Sequence, residues 1–593
     1  MPSRPQDADS GDRASANIAR HLRVMAEAQP RRVALKIPRG RRRAGEIDYL
    51  ALDFAALDAE AAAWGEKLSG AGIAPGDRTL VMVRQGLPLI AAVFALFRLG
   101  AVPVVIDPGM GLKSFLACVA RSRPRALVGI PFAQVVSRLF RKSFGSVGIR
   151  VSASGSLTAR LAKPQAPNPR LQAEVRSGST DLAAILFTSG STGAPKGVCY
   201  EHGMFDAQVR LIREAYAIEP GEVDLPMLPI FALFNPALGM TTIVPEIDPQ
   251  RPAEVDAAKV VQAIRQEGVT NSFGSPTLWN KILAHCHAHG LQLPSLRRVL
   301  CAGAPVPAKL WQRSRTVLTS GRLHSPYGAT EALPVATISS DEVETDSVRG
   351  ACVGRPLPEI EVRVIAITDT PLATIADARE CLQGEIGELI VRGPVVTRTY
   401  DALADATNAA KIVDASSTSP SAEAQTPNAK LLSDSSLATR HSPLGISGAA
   451  PASPVWHRMG DCGYLDENGR LWFCGRKAER VETAAGTLHT EPCEQVFRSH
   501  ALAARCALIG LGVRGQQRSA LVIEGRPANS SAARRLAREL RELALRHPHT
   551  ASIKLFYFHP KFPVDVRHNA KIHRLTLAQW AVTAKGFEVD PKR

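Results

Sequence analysis

Residues 186–197 read Leu186-Phe-Thr-Ser-Gly-Ser-Thr-Gly-Ala-Pro-Lys-Gly197, an apolar strand pattern that runs directly into a loop. Glycines allow backbone N–H groups to turn towards an anion, hydroxyl side chains add donors, and the lysine adds positive charge. The order Gly-Lys-Ser/Thr of a Walker A loop is absent. A solvated Ser/Gly turn would not need this combination, so the stretch predicts a polyphosphate-binding loop. Its residues are Thr188, Ser189, Gly190, Ser191, Thr192, Gly193 and Lys196.

The apolar runs around this loop predict an α/β fold. A strand at 79–83, a helix at 87–99 and a strand at 101–106 form a βαβ unit, which favours a parallel sheet with crossover helices. Similar runs at 125–130, 182–187 and 298–301 each lead into a loop rich in Gly or Pro. Ligands of open α/β sheets bind at such loops, beyond the strand ends.

The length of 593 residues is too great for one compact core, so more than one domain is expected. We predict a disordered polar tail at 1–15, a large domain at 16–476 and a small α+β lid domain at 477–593. Residues 414–454 are rich in Ser, Ala, Thr and Pro and poor in large apolar residues, which predicts a flexible insertion.

Composition bears on partners and location. The formal net charge is +17, but 38–43 is the one basic cluster, so scattered surface charge is favoured over nucleic-acid binding. The 10 cysteines include no CxxC pair, which fits the cytoplasm.

His285 and His289 would share a helix face, but an exposed helix end is favoured over a metal site. No signal peptide or transmembrane segment is predicted, and the 87–106 run fits a buried helix and strand; peripheral membrane contact stays open.

The glycine-rich loop resembles the phosphate loop of the superfamily of acyl-CoA synthetases, peptide-synthetase adenylation domains and luciferases. Further motifs follow in the family's order. Residues 301–305 resemble the adenine-binding segment, and 325–331 (Ser-Pro-Tyr-Gly-Ala-Thr-Glu) resemble the aromatic-Gly-x-Thr-Glu motif. The resemblance implies that Tyr327 stacks on adenine, Thr330 contacts phosphate and Glu331 holds Mg²⁺. The other nucleotide-binding residues implied here are Gly303, Ala304, Pro305 and Gly328.

Later motifs complete the resemblance. Residues 457–461 (His-Arg-Met-Gly-Asp) resemble the ribose motif, in which Asp461 accepts both ribose hydroxyls with help from Arg476. Residues 563–572 resemble the last motif, whose lysine, here Lys571, neutralises charge at the α-phosphate. The family therefore implies an ATP- and Mg²⁺-dependent adenylation of a carboxylate, with Lys571, Glu331 and Lys196 as its catalytic residues.

Three positions depart from common acyl-CoA ligases. Ala232 stands where a histidine is frequent, Ala478 stands at the hinge, and Thr483 lies where a lysine often precedes a glycine. The segments 234–240, 456–461, 471–477 and 489–494 resemble instead the β-lactone synthetases of bacterial long-chain olefin biosynthesis. That resemblance implies a 2-alkyl-3-hydroxy fatty acid whose own hydroxyl displaces AMP, so that proximity replaces a second binding step.

The remaining expectations concern the substrate and its alternatives. Phe231, Phe234, Phe273 and Trp279 are candidates for an alkyl pocket, although ordinary core packing accounts for each equally well. A histidine or the departing phosphate would take the hydroxyl proton. The resemblance also implies assembly with the decarboxylase that acts next and with the reductase of the pathway. The rivals are a long-chain acyl-CoA or acyl-carrier-protein ligase and, disfavoured by Glu331 and Lys571, a non-catalytic nucleotide-binding module.

Overall fold

The computed structural model describes residues 15–153, 175–188, 194–248, 251–344, 348–414, 454–564 and 571–590. The strands are β1 (Val33–Arg41), β2 (Ile47–Asp53), β3 (Arg78–Met82), β4 (Val102–Ile106), β5 (Ala126–Gly129), β6 (Ile149–Ser152), β7 (Leu182–Thr188), β8 (Lys196–Glu201), β9 (Val223–Pro226), β10 (Thr241–Ile243), β11 (Asn271–Gly274), β12 (Arg298–Cys301), β13 (Arg322–Ala329), β14 (Ala332–Ser339), β15 (Ala351–Pro356), β16 (Glu361–Ile365), β17 (Gly387–Arg392), β18 (Lys411–Val413), β19 (Val455–Leu465), β20 (Leu471–Arg476), β21 (Val481–Thr483), β22 (Gly486–Leu488), β23 (Cys506–Leu511), β24 (Arg518–Glu524), β25 (Leu555–His559) and β26 (Phe587–Glu588). The α-helices are α1 (Arg20–Ala28), α2 (Phe54–Gly70), α3 (Leu87–Arg98), α4 (Leu112–Ser122), α5 (Pro131–Leu139), α6 (His202–Tyr216), α7 (Asn235–Leu238), α8 (Ala257–Glu267), α9 (Pro276–Ala288), α10 (Ala308–Val317), α11 (Ala404–Ala410), α12 (Thr490–Arg498), α13 (Ser530–Leu545) and α14 (Arg574–Ala581).

The predicted βαβ unit is present as β3, α3 and β4. Strands β3 and β4 pair in parallel, with Arg78 opposite Val102, in a six-stranded sheet of order β6-β5-β3-β4-β7-β8. Strand β8 is antiparallel to β7, while the other neighbours in this sheet are parallel. The glycine-rich loop therefore joins two adjacent strands, as a hairpin at the end of β7.

The larger sheet has fourteen strands, and its main path runs β16-β17-β19-β20-β15-β14-β13-β12-β11-β9-β10-β1-β2, with β18 paired to β19. Strands β9 to β13 pair in parallel, whereas β13 and β14 are antiparallel. This change of direction occurs at residues 330–331, the last two residues of the predicted nucleotide motif. The predicted ligand motif thus lies at the end of β13, where the predicted parallel pairing stops.

Apolar burial explains why residues 87–106 resemble a membrane span. Helix α3 is buried on almost every face in one core cluster of the large domain, and β4 contributes Val102, Val104 and Ile106 to a second cluster. Arg98 at its end forms an ion pair with Asp58 of α2. Across the described ranges, none of the helices combines the length and the apolar character that crossing a bilayer requires.

The C-terminal part is a small α+β domain, as predicted. Strands β23 to β26 form a four-stranded sheet in sequence order, covered by α12, α13 and α14. The mixed α/β fold with a small C-terminal domain is therefore confirmed, while the boundary at residue 476 stays a prediction. The expected tail at 1–15 lies, except for Ser15, outside the described residues.

The ends of the predicted insertion are described, although residues 415–453 are not. Strands β18 and β19 pair in antiparallel fashion, with Lys411 opposite His457. The Asp414 N–H donates to the Pro454 carbonyl at 3.0 Å. The two ends of the predicted insertion therefore lie next to each other.

Candidate active site

The predicted phosphate loop is described at its two ends, which lie in strands β7 and β8. Thr188 ends β7 opposite Lys196, which begins β8. Ser189, Gly190, Ser191, Thr192 and Gly193 lie outside the described residues, as does the Thr188 side chain. Lys196 Nζ lies 4.7 Å from the centre of the Tyr400 ring. The lysine of the loop is therefore held near the segment that follows β17.

The predicted adenine segment lies between β12 and α10. Gly303 has φ +102°, a conformation that glycine adopts without strain, and Ala304 and Pro305 follow it. Gly328 in β13 is constrained differently, because a Cβ there would lie 2.6 Å from the Ala332 carbonyl oxygen. Both glycines thus have local structural reasons that are independent of nucleotide binding, and their binding roles stay predictions.

Asp461 is the centre of the predicted ribose site. It is 3% exposed and lies directly opposite Arg476 in the β19–β20 ladder. Arg476 Nη1 is 2.7 Å from Asp461 Oδ1, and the Tyr327 hydroxyl donates to Oδ2 at 2.7 Å. Burial raises the pKa of the Asp461 carboxyl, and the charges of Arg476 and Lys571 oppose that shift. The structure thus brings together four residues predicted from motifs far apart in the sequence.

Lys571 is linked to Asp461 by the effect of its charge on the pKa of that carboxyl. It is the first described residue after 565–570, and Ile572 beside it forms a β-bridge with Val564. Its positive charge acts on Asp461 of the large domain. The charge of the predicted catalytic lysine thus acts on the predicted ribose-binding carboxylate, and the catalytic role of Lys571 stays a prediction.

Glu331 lies in the turn between β13 and β14. The Tyr400 hydroxyl donates to Glu331 Oε1 at 2.8 Å. The Thr397 backbone N–H and hydroxyl both donate to the Glu331 carbonyl oxygen, at 2.9 and 3.1 Å. The Tyr200 hydroxyl donates to the neighbouring Thr330 carbonyl at 2.5 Å. The predicted metal ligand is thus fixed through both its side chain and its backbone.

Two buried residues that lie opposite each other in the β18–β19 ladder were given no role in the sequence analysis. Lys411 is buried, and burial lowers the pKa of its ammonium to about 7, although the charge of Glu331 opposes that shift. His457, opposite Lys411, is also buried, which lowers the pKa of its imidazole well below its usual value. Lys411 borders the low-complexity segment, where no pattern predicts a binding role, and His457 begins the 457–461 motif, in which only Asp461 was assigned a role.

Three of the four candidate alkyl-pocket residues form one row. The rings of Phe231 and Phe273 stack with centroids 3.7 Å apart, and Phe231 and Phe234 are 6.3 Å apart. Phe205 of α6, which the sequence analysis did not select, stacks on Phe234 at 4.8 Å. Trp279 instead belongs to a separate, fully buried cluster. The row suits an apolar ligand, whereas the assignment of Trp279 rests on its sequence position alone.

Ala478 and Thr483 stand where related enzymes carry charged side chains. Ion pairs of other residues join the two domains in this region. Asp369 of the large domain lies 2.9 Å from Arg480 and 3.0 Å from Arg514, which are in the small domain. Arg514 also donates to the Ala478 carbonyl at 3.3 Å. The Thr483 hydroxyl donates to Gly486 O at 2.8 Å within the β21–β22 hairpin. Of these contacts, the two ion pairs of Asp369 join the large domain to the small one.

Comparison with known proteins identifies the family of this chain. The model of the AMP-binding enzyme family matches residues 22–401. The olefin beta-lactone synthetase of Stenotrophomonas maltophilia is 43% identical over 95% of this chain and 98% of its own length. The olefin beta-lactone synthetase of Xanthomonas campestris is 41% identical over 95% and 97%.

Solved structures share the fold at lower sequence identity. An amide bond synthetase from Marinactinospora thermotolerans superposes with a TM-score of 0.70 at 21% identity, covering 95% of this chain and 99% of its own. The o-succinylbenzoate coenzyme A synthetase of Bacillus subtilis, in complex with ATP and magnesium ion, gives a TM-score of 0.67 at 19% identity, covering 94% and 98%. On the family match and the two near-full-length relatives, this chain belongs to the AMP-binding enzymes and, among them, to the olefin β-lactone synthetases.

Proposed function

We propose that this protein adenylates a long-chain 2-alkyl-3-hydroxy fatty acid and then closes the acyl-AMP to a β-lactone. The observation that carries the proposal is the 43% identity to an olefin beta-lactone synthetase over 95% of the chain. The grouping of Tyr327, Asp461, Arg476 and Lys571 supports the first step, because these residues converge although their motifs are separated in sequence.

The first step joins two anions, so the site must offset their repulsion. A carboxylate oxygen attacks the α-phosphorus of ATP, and the bond from that phosphorus to the pyrophosphate oxygen breaks. Lys571 stabilises charge that develops at the α-phosphate, Asp461 holds the ribose and Lys196 faces the outer phosphates. The buried, low-dielectric setting of Asp461 strengthens each of these interactions.

The donor set near Glu331 fits Mg²⁺. Glu331 Oε1 accepts from Tyr400, and no hydrogen bond to Oε2 is found within the described ranges. No group of three or more acidic, His or Cys side chains suited to a metal lies in that part of the chain. A single carboxylate suits an ion that takes its other ligands from phosphates and water. When bound there, Mg²⁺ would neutralise phosphate charge.

The second step needs no second substrate. The 3-hydroxyl oxygen attacks the acyl carbon, the bond from that carbon to the AMP oxygen breaks, and the hydroxyl proton leaves with the AMP phosphate. Because nucleophile and electrophile belong to one bound molecule, the step gains from proximity.

Three further parts of the proposal concern the alkyl chains of the substrate, the cellular compartment and the neighbouring enzymes. The stacked row Phe205, Phe234, Phe231 and Phe273 suits an alkyl chain. All ten cysteines are free thiols, which fits the cytoplasm. The β-lactone is a strained, reactive product, so we place the enzyme beside the decarboxylase that consumes it and the reductase that supplies its substrate.

Product analysis tests the proposal. The full chain is incubated with ATP, Mg²⁺ and a 2-alkyl-3-hydroxy fatty acid without thiol, and mass spectrometry is expected to show AMP, pyrophosphate and a β-lactone. A matched acid without the 3-hydroxyl is expected to stop at bound acyl-AMP. Thioester formed with added coenzyme A, together with no lactone in its absence, would instead establish an acyl-CoA ligase.

A further inference from the structure

Lys411 is a buried lysine that has no acidic hydrogen-bond partner among the described residues, and the charge of the predicted metal ligand Glu331 acts on it. Lys411 is 6% exposed and begins β18. Within the described part of the chain its hydrogen bonds go only to Thr397, to the carbonyl oxygen and, at 3.2 Å, to the hydroxyl. Burying an ammonium is costly unless its charge is compensated. A buried amine that has no carboxylate hydrogen-bond partner among the described residues therefore needs an explanation.

The contacts of Thr397 connect Lys411 to Glu331. Thr397 uses its N–H and its hydroxyl to hold the Glu331 carbonyl oxygen, at 2.9 and 3.1 Å. The same threonine accepts from Lys411 on its own carbonyl and hydroxyl oxygens. Lys411 thus holds Thr397, and Thr397 in turn holds the backbone of Glu331. Two successive hydrogen bonds connect the ammonium to the predicted magnesium ligand.

A second path runs through Tyr400. Its hydroxyl donates to Glu331 Oε1 at 2.8 Å, and its ring centre lies 4.7 Å from Lys196 Nζ and 6.0 Å from Lys411 Nζ. The charge of Glu331 acts favourably on the Lys411 ammonium, whereas that of Lys196 opposes it. Two lysines and one carboxylate therefore surround one tyrosine, leaving an excess of positive charge. An anion with several charges, such as a polyphosphate, would compensate that excess.

We propose that Lys411 is a positioning residue for the β- and γ-phosphates of ATP. It holds Glu331 through Thr397 and supplies buried positive charge on the side of the site where Lys196 leaves the phosphate loop. The proposal concerns nucleotide binding alone. It rests on membership of the AMP-binding family, so it does not depend on whether a lactone or a thioester is the final product.

AMP and ATP distinguish this role from a structural one. Calorimetry with the full chain and no fatty acid measures the affinity for Mg²⁺–ATP and for AMP, which lacks the outer phosphates. We expect Lys411→Met to weaken Mg²⁺–ATP binding about tenfold, in line with loss of one charged contact, and to leave AMP binding within about twofold. Lys411→Arg, which keeps the charge, is expected to recover part of the ATP affinity.

Two further variants keep the test decisive if Lys411→Met does not fold. Thr397→Val removes only the hydroxyl between Lys411 and Glu331, so it is expected to weaken Mg²⁺–ATP binding without affecting AMP. Arg392→Met is the matched control, because Arg392 pairs with Asp414 at the other end of β18 and does not contact Glu331. Equal loss for AMP and ATP, or no loss for either in both Lys411→Met and Thr397→Val, would overturn the proposal.

Discussion

The Tyr327 hydroxyl lies 2.7 Å from Oδ2 of Asp461, so the residue expected to stack on adenine is bonded to the residue expected to hold the ribose. Arg476 occupies the other carboxylate oxygen at 2.7 Å. Both oxygens are therefore engaged before a nucleotide binds. Because a ribose hydroxyl must replace or share the Tyr327 hydrogen bond, these contacts preorganise Asp461 and also compete with its ligand.

This competition predicts effects of very different size for two substitutions. Asp461→Asn is expected to weaken ATP binding about tenfold or more, because a charged acceptor for the ribose is lost. Tyr327→Phe removes the competing hydroxyl and is expected to change ATP affinity by less than about threefold. Calorimetry with ATP and 2′-deoxy-ATP provides the check, since Asp461→Asn should matter less for the deoxynucleotide. Equal losses for both nucleotides would show that Asp461 does not bind the ribose.

Lys571 is predicted to act on the transition state rather than on ATP. Lys571→Ala is expected to slow pyrophosphate release by about 100-fold or more while ATP affinity changes by less than about threefold. Lys561→Ala is a matched control, because that lysine is exposed in the same segment of the small domain. Glu331→Gln should instead weaken the use of Mg²⁺–ATP. Pyrophosphate release at the wild-type rate in Lys571→Ala would contradict the assignment.

Removal of residues 415–453 is predicted to leave fold and activity largely unchanged. The β18–β19 ladder and the Asp414–Pro454 hydrogen bond close the base of this segment, so a short turn can replace it. A deletion that also removes Asp414 is the informative comparison, because Asp414 accepts from Arg392 and, at 3.2 Å, from Trp456. Thermal unfolding is expected to show a lower Tm only for the longer deletion. A large drop for both would show that the segment is structural.

Asp224 is predicted to make stability depend on pH. It is buried, with Oδ2 and Oδ1 accepting from Asn235 and Asn271 at 2.9 and 2.7 Å. Burial raises the pKa of its carboxyl from 3.8 to about 7. Between about pH 4 and pH 7 the unfolded chain has lost this proton while the folded chain keeps it. The contribution of Asp224 to stability is therefore greatest at low pH, falls through that interval and is constant above it.

Asp224→Asn tests this sign. The neutral amide removes the charge, and Asn271 Oδ1, which has no hydrogen-bond partner among the described residues, can accept from the new amide if the Asn271 side chain flips. Urea unfolding at pH 5 and pH 8 is expected to show that the variant gains stability relative to the wild type mainly at pH 8. The same difference at both pH values would mean that the carboxyl has an ordinary pKa.

The sequence by itself determined the local elements and their order. The strand at 298–301 and the helix from Leu87 follow from apolar patterns over a few neighbouring residues, so they appear with nearly the predicted bounds. The sequence also determined the chemical types at the site, because glycine, lysine and carboxylate residues recur in a fixed order along the chain. That order led to Asp461, Glu331 and Lys571 without any knowledge of their distances.

Only the tertiary structure decided which side chains meet. Tyr327 bonds to Asp461 because β13 and β19 are brought together through the path of one sheet, and no local pattern encodes that register. Lys411 reaches the surroundings of Glu331 because β18 pairs with β19, although its neighbours in sequence belong to a low-complexity segment. Hydrophobic periodicity depends on residues that are neighbours in the sequence. The partners of a buried charged residue come from distant parts of the chain, and strand pairing brings them together.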